Sequence, residues 1–389
     1  MLGIPISITV TVMIYKTPML NERDNAVLAL IAVQREQLKL YVQMTPKRWH
    51  GSLRRMTMAR AIQGSNTIEG YDASLDQALA IVDDDEPLEE RTETSLALKG
   101  YRDALTYICQ AATDPYFEFS KQFLKSLHFM MLSYDMRAHP GQWRRGFVRV
   151  ARTEDGETVY EAPDVELVDS LIEELVKFLK EDNGQNSLIR GAMAHLNLTM
   201  IHPFKDGNGR MARALQTLVI ALDGMLHPVF SSIEEWLGRG QNTIAYYQVL
   251  AETGQGQWNP ERSAHNWIRF CLKAHYQQAA TLIRRDEEYS TVFEHVERLM
   301  LENGLHERMS LPLFDATLGY ALTNARYRSH AEVSELVASR DLKKLCDVGL
   351  FVPKGERRGR TYSASDQLVQ IRNASRLRRK LVDPYSLVV

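Results

Sequence analysis

Residues 201–213 read IHPFKDGNGRMAR. They set a histidine, a carboxylate, two glycines around an asparagine and two arginines between apolar stretches of helical spacing. Each of these residue types has a chemical use. Gly207 and Gly209 let backbone N–H groups approach a ligand closely. The run feeds into a helix starting near Arg210, and the free N–H groups and dipole of a helix N-terminus favour an anion. Arg210 and Arg213 stand three residues apart, so they project from similar faces of the first turn with forks that match phosphate oxygens. Asn208 offers a further donor, and Met211 and Ala212 lie within the same run. The run is not a P-loop, because no Lys-Ser/Thr follows the glycines.

Asp206 suits Mg2+, which takes one or two carboxylates together with phosphate oxygens. His202, at the rim of the cradle, has the pKa range needed to take a proton from an attacking hydroxyl. Base, metal carboxylate, anion nest and arginines together specify phosphoryl or nucleotidyl transfer. Blander readings exist for each part alone: a histidine before proline packs or caps, a GxG turns, and two arginines make a solvated face. Their coincidence in one short run favours function. Phe204 reads as a core plug and Lys205 as exposed. His195 lies seven residues before His202, but no second carboxylate is near it in sequence, so it reads as a hydrogen-bonded core histidine rather than a metal ligand.

The elements that must position these groups are mostly helical. Asn21 reads as the cap of a helix over 21–42. Further helical spacing appears over 90–112 (Leu98, Tyr101, Leu105 and Ile108 on one face) and over 164–182, with Asp164 as cap. Ile189, Ala192, Met193, Leu196 and Met200 form one stripe before the motif. Met211, Leu215, Leu218 and Leu222 form another after it, ending at Gly224. One β signal interrupts: two β-rich arms over 146–163 around Asp155-Gly156 predict a hairpin. The acidic run DDDEP (83–87) reads as a solvated linker. Beyond about residue 285 the order is a helix over 289–303, then helix, turn, helix capped by Ser334, and two short strands with a wing over 350–362. That order predicts a winged helix-turn-helix.

The 389 residues suggest two or three units. With 44% apolar and 25% charged residues the composition is globular, and a net charge of −2 excludes a uniformly basic nucleic-acid binder. Cys109, Cys271 and Cys346 are far apart without CxxC spacing, which argues against a zinc site or disulfide framework and favours a reducing cytoplasm. The apolar start MLGIPISITVTVMIY lacks a basic n-region and is too short to span a bilayer, so it reads as an edge strand or an upstream extension, with no membrane partner.

HPFKDGNGRMAR resembles the signature HPFx[D/E]GNGRxxR of the Fic (fido) family at every defined position. The hairpin at 146–163 resembles the family's target-positioning flap, and YYQVL (246–250) with WNPERSAHNWIRFCL (258–272) resembles its closing helices. The resemblance implies a mainly α fold with a Fic catalytic core (120–278); outside it the chain reads as an N-terminal extension (1–20), a helical region (21–119) and the winged helix with a basic tail (285–389). The resemblance also implies transfer of AMP from ATP to a Tyr, Thr or Ser hydroxyl of a target protein or of the chain itself. His202 would be the base, and Asp206 would hold Mg2+ on the α- and β-phosphates. Gly207, Asn208 and Gly209 would line the anion hole, Arg210 and Arg213 would hold the β- and γ-phosphates, and Tyr246 or Tyr247 would contact adenine. The family often carries an asparagine beyond that tyrosine pair, and AETGQG (251–256) has none, which leaves base selectivity open.

GSNTIEG (64–70) resembles the family's inhibitory pattern [S/T]xxxE[G/N]. Ser65 and Glu69 are four apart on one helix face, so Glu69 would pair with Arg213 in the γ-phosphate's place. The alternative is a helix-terminal acid with Gly70 as cap. Two other activities remain open on the same site: removal of AMP with Glu69 as base for water, and transfer of another nucleotide or phosphate ester. A rival of another class is a nucleotide-sensing, DNA-binding regulator, supported by the basic stretches KGERRGR and RNASRLRRK within 285–389. An intact His202 argues against that rival. A homodimer is also left open.

Overall fold

The computed structural model describes residues 13–44, 47–85, 92–151, 156–181, 184–356 and 360–388. The residues at 1–12, most of the apolar start, lie outside these. Among the described residues no helix is long and apolar enough to cross a membrane, and the three cysteines are unpaired.

The chain begins with α1 (Glu22–Lys39), α2 (His50–Ile68), α3 (Leu75–Val82), α4 (Glu93–Ala111) and α5 (Lys121–Leu132). Asn21 closes a reciprocal capping box with Asp24, each side chain accepting the other's backbone N–H at 3.0 Å. The strands β1 (Arg149–Ala151) and β2 (Thr158–Glu161) form the antiparallel hairpin, with Arg149 opposite Glu161 and Val150 opposite Tyr160. Asp155 of the expected turn lies outside the described residues; Gly156 has φ +72°, as such a turn requires.

Next come α6 (Val168–Lys180), α7 (Ser187–Ile201), α8 (Asn208–Ala221), α9 (Pro228–Ser231), α10 (Glu234–Leu237) and α11 (Gly240–Gly254). A third strand, β3 (Gly256–Gln257), unexpected from sequence, runs parallel to β2. The helix α12 (His265–Glu302) is followed by α13 (Ser310–Thr317), α14 (Asn324–Ala331) and α15 (Glu335–Asp347). The chain closes with an antiparallel pair, β4 (Phe351–Lys354) and β5 (Thr361–Ala364), and α16 (Asp366–Ala374).

Two apolar cores meet at α7. Its Ala194, Leu198 and Ile201 join one with α2, α4, α5, α6 and α8, while Met193, Leu196 and Met200 join the other with α11 and the start of α12. Burying each such side chain contributes about 1.5–3 kcal/mol, and this packing holds the loop between α7 and α8 in place.

Several local expectations need correction. Asp164 starts a 3₁₀ turn without a side-chain capping bond, and α6 proper begins at Val168. Ser334 occupies the N-cap of α15, but its hydroxyl caps nothing. Leu222 is 39% exposed because α8 has already ended. The composition change near 285 falls inside α12, a single helix with no glycine or proline between His265 and Glu302. The acidic run is solvated only in part: Asp84 is exposed, but the Asp83 carboxylate is enclosed between Arg55 (3.4 Å) and Arg326 (3.1 Å), and residues 86–87 lie outside the described residues. Arg55 also donates to Asp315, so α2 is tied through buried charge to α13 and α14.

Candidate active site

The loop between α7 and α8 begins at His202 and ends at Gly207, both in the left-handed region (φ 51° and 75°). Glycine adopts that conformation freely; histidine does so at a cost, and uncommon backbone of this kind clusters at functional sites. A Cβ on Gly207 would lie 2.4 Å from Leu132 Cδ1 of α5, so a larger residue there would also have to displace that side chain.

His202 Nδ1 lies 3.2 Å from the Thr199 carbonyl oxygen. A carbonyl can only accept, so Nδ1 carries the proton and Nε2 presents a lone pair. Burial, with the nearby Arg144 charge, pushes the imidazole below its ordinary pKa against the opposing pull of Thr199, Glu69 and Asp206. The ring is therefore neutral near pH 7, with Nε2 free to accept a proton.

Phe204 is the expected plug, fully buried and stacked on His128 at 3.7 Å between ring centres. Lys205 is exposed, its ammonium donating to the Arg137 carbonyl at 2.9 Å. The Asp206 side chain is 54% exposed. One of its oxygens accepts the Gly207 N–H at 2.6 Å, and the other stands 3.7 Å from Arg210. Among the described residues no cluster of three or more His, Cys, Asp or Glu side chains could hold a metal unaided. A single accessible carboxylate at an anion nest fits Mg2+ brought in with phosphate oxygens.

The Asn208 amide is not free to meet a ligand. Its Oδ1 accepts from Phe204 N–H and its Nδ2 donates to Phe204 C=O, both at 2.9 Å, so the side chain braces the loop. Helix geometry leaves the N–H groups of Asn208, Gly209 and Arg210 unpaired within α8, whereas Met211 N–H bonds Gly207 C=O. Met211 and Ala212 are fully buried, with side chains in the core.

Arg210 and Arg213 are both buried, not a solvated pair. Arg210 lies over the Tyr71 ring (5.4 Å) and donates to Tyr134 Oη at 3.3 Å. Arg213 Nε donates to Ser65 Oγ at 2.8 Å, and its Nη2 to Ser65 C=O at 3.0 Å and to Glu69 Oε1 at 2.6 Å. Ser65 and Glu69 thus meet on Arg213; the Glu69 contact is the one the family resemblance implied, and the Ser65 contacts were not expected. Arg213 Nη1 and Arg210 Nε have no partner, leaving two buried charged donors unsatisfied. Gly209 makes room for the pair: a Cβ there would lie 2.5 Å from Glu69 Oε1. Burial raises the Glu69 carboxyl, but Arg213 and Arg210 overcome this and hold it below its ordinary range.

The two tyrosines part company. Tyr246 is 1% exposed and bonds His195 Nε2 at 2.9 Å, which removes it to the core beneath the site. His195 bonds Gln216 on its other nitrogen at 2.6 Å, so it is a satisfied core histidine. Tyr247 is 50% exposed, and its hydroxyl donates to Ile68 C=O beside Glu69. Two contributors escape sequence reasoning. His128 accepts Gly141 N–H at Nδ1 (2.8 Å), so its Nε2–H donates to Asp206 C=O (3.0 Å). Arg144 bonds His202 C=O at 3.0 Å. In FLKSLHFMML the histidine sits on an apolar face, and in GQWRRGF one of two adjacent arginines carries no mark of burial.

Free N–H groups at a helix N-terminus with a neutral imidazole at their rim characterise this site. The chain matches the Fic/DOC family model over residues 118–220. It is 27% identical over 256 residues to protein adenylyltransferase fic-1 of Caenorhabditis briggsae, covering 62% of this chain and 46% of that protein. It is 28% identical over 78 residues to a probable protein adenylyltransferase, aq_aa38, of Aquifex aeolicus, covering 20% and 24% of the two chains. The chain spans about half the length of the fic-1 relatives it matches. Two solved structures share the fold. A Fic family protein from Desulfovibrio desulfuricans G20 has TM-score 0.56 at 20% identity, covering 90% of this chain and 99% of that one. Fic-1 of C. elegans has TM-score 0.53 at 22% identity, covering 67% and 72%.

Proposed function

We propose that this chain transfers AMP from ATP to a protein hydroxyl and is restrained by Glu69. The observation that carries the reading is the pair of unpartnered guanidinium donors beside the α8 N-terminus, within reach of an imidazole with a free Nε2. The names of the distant relatives support AMP as the group moved.

In this reading the N–H groups of Asn208, Gly209 and Arg210 and the guanidinium of Arg210 bind the phosphates. Arg213 takes the γ-phosphate when Glu69 leaves it. Tyr247, the exposed ring of the tyrosine pair, lies at the adenine end. Asp206 would hold Mg2+, which neutralises charge developing on the phosphates. His202 Nε2 takes the proton from the target hydroxyl as its oxygen bonds the α-phosphorus. The bond from that phosphorus to the β-phosphate bridging oxygen breaks, and pyrophosphate leaves. The free edge of β1 offers backbone groups to an extended target segment.

The C-terminal α13–α14–α15 and β4–β5 order supports a winged helix-turn-helix, and its basic groups make duplex DNA a candidate partner. Arg357 and Arg358 of the wing lie outside the described residues. Arg379 of the tail is engaged with Glu287 at 2.8 Å, which lowers the charge available for DNA.

His202→Ala tests the core of the proposal. With α-labelled ATP and a cell lysate, transfer to protein should fall roughly 10²–10⁴-fold while ATP binding is retained. Full transfer by the variant would remove His202 from the chemistry.

A further inference from the structure

Arg144 lies between α5 and β1 and is 5% exposed. Four hydrogen bonds leave this one residue, and all four end on backbone carbonyls. Its own N–H donates to Pro203 C=O at 2.8 Å and its Nε to His202 C=O at 3.0 Å. Its Nη1 donates to Gly146 C=O at 2.8 Å and its Nη2 to Pro163 C=O. Gly146 and Pro163 are the two ends of the segment that contains the hairpin. One planar group therefore grips the base loop and both feet of the hairpin at once.

Such an arrangement is costly. Burial works against the Arg144 charge more than the nearby Asp164 and Glu166 support it, and among the described residues no carboxylate is hydrogen-bonded to it. A buried cation satisfied only by carbonyls is more easily replaced than kept, unless its directional bonds fix something needed. Here they fix His202 in a left-handed conformation, which is uncommon outside glycine. They also hold the hairpin at a set distance from the imidazole. Asp206 through Arg213 receive none of the four bonds, so the nucleotide cradle is left alone.

We propose that Arg144 is a positioning residue that sets the β1–β2 hairpin in register with His202, so that a target hydroxyl carried on the hairpin arrives at Nε2. This rests on the transfer activity proposed above and adds the device that aligns target with base. Lysine keeps the charge but replaces a fork spanning three carbonyls with a single point donor. A misplacement of ~1 Å at the reacting centre lowers rate by up to roughly a hundredfold.

The test uses the full chain with Arg144→Lys, alone and in the Glu69→Gln background, and reads two quantities. Hydrogen exchange should quicken at the amides of residues 158–161 and at His202, with α4 and α6 unchanged. Self-modification with labelled ATP in the Glu69→Gln background should fall roughly ten- to a hundredfold, with the KM for Mg-ATP within about twofold. Unchanged hairpin exchange would overturn the inference, as would a loss of rate matched by an equal loss of ATP affinity. Should exchange quicken while Glu69→Gln shows no self-modification even with Arg144 intact, the hairpin lock stands and the transfer reading falls. If Arg144→Lys fails to fold, Arg144→Gln, which retains two of the donors, replaces it with the same expected outcomes.

Discussion

Arg213 and Arg144 are two buried arginines near the same loop, and they are held by different kinds of partner. Every partner of Arg144 is a backbone carbonyl, fixed to the chain and unable to leave. Arg213 is held by Ser65 and by a carboxylate at the end of α2, and one of its Nη atoms has no partner. A carboxylate on a swinging side chain can be exchanged for a phosphate oxygen, charge for charge. An arginine with a removable anion and a spare donor is built to change partners, whereas one saturated by carbonyls is built to keep them. The Glu69 side chain, at 22% exposure beside Gly70 in the left-handed region, has a way out.

The strongest way to break this contrast is Glu69→Gln, which keeps the side chain's size and removes its charge. In the proposed reaction ATP would set its γ-phosphate at Arg213, where the Glu69 carboxylate now sits. With the competitor gone, labelled AMP incorporation into the chain and into lysate proteins should rise roughly tenfold to a hundredfold at matched Mg-ATP. No rise would mean that the Arg213 pair is as permanent as the Arg144 contacts.

The same variant sharpens the comparison through stability. Removing one member of a buried ion pair leaves the other charge unbalanced, and with Glu69 partly exposed the loss should be about 1–3 kcal/mol. Thermal unfolding should therefore begin at a lower temperature in Glu69→Gln. Mg-ATP should raise the midpoint more in the variant than in the wild type, since ligand no longer competes with an internal anion. An equal ATP shift in both proteins would argue that Glu69 does not occupy the phosphate's place.

What was legible in the sequence follows the same division. Groups meant to meet a ligand sit close together in the chain, because a helix terminus gathers its residues locally; hence His202, Asp206 and Arg213 could be read from one run. Ser65 and Glu69 were legible as a spacing, and the meeting of Glu69 with Arg213 was reachable only through the family resemblance. Groups that fix the loop from outside were hidden. His128 reaches Asp206 across 78 residues, and Arg144 reaches His202 across 58. Neither carries a local pattern beyond an apolar helix face or a pair of arginines. Asp83 was misread for the same reason: an acidic run looks solvated until Arg55 and Arg326 arrive from distant helices. The two residues of β3 are too few to carry a period. The continuity of α12 was missed because the composition change near 285 reads as a boundary, although nothing between His265 and Glu302 can break a helix.

The smallest effect belongs to Ser65, and it decides which kind of contact Ser65 makes. Its hydroxyl accepts from Arg213 Nε, and its carbonyl accepts from Nη2. If Ser65 left together with Glu69 it would be part of the restraint, and Ser65→Ala would activate. The packing of α2 says otherwise. A Cβ on Gly238 would lie 2.5 Å from Gly64 Cα, and one on Gly64 2.4 Å from the Glu234 carbonyl oxygen, so this part of α2 is pressed directly onto α10. Arg55 anchors the same helix to Asp315. Ser65 therefore stays while Glu69, past the last helical turn, moves. A fixed Ser65 orients Arg213 equally for Glu69 and for a γ-phosphate, so its loss weakens both without favouring either. Losing one such bond is worth about 1 kcal/mol, or about fivefold in an equilibrium constant. Ser65→Ala in the Glu69→Gln background should raise the KM for Mg-ATP about fivefold. In the wild-type background it should leave the rate ratio between Glu69→Gln and Glu69 unchanged. Activation by Ser65→Ala alone would show instead that α2 moves as a whole, and that its exchangeable portion extends at least one turn beyond the carboxylate.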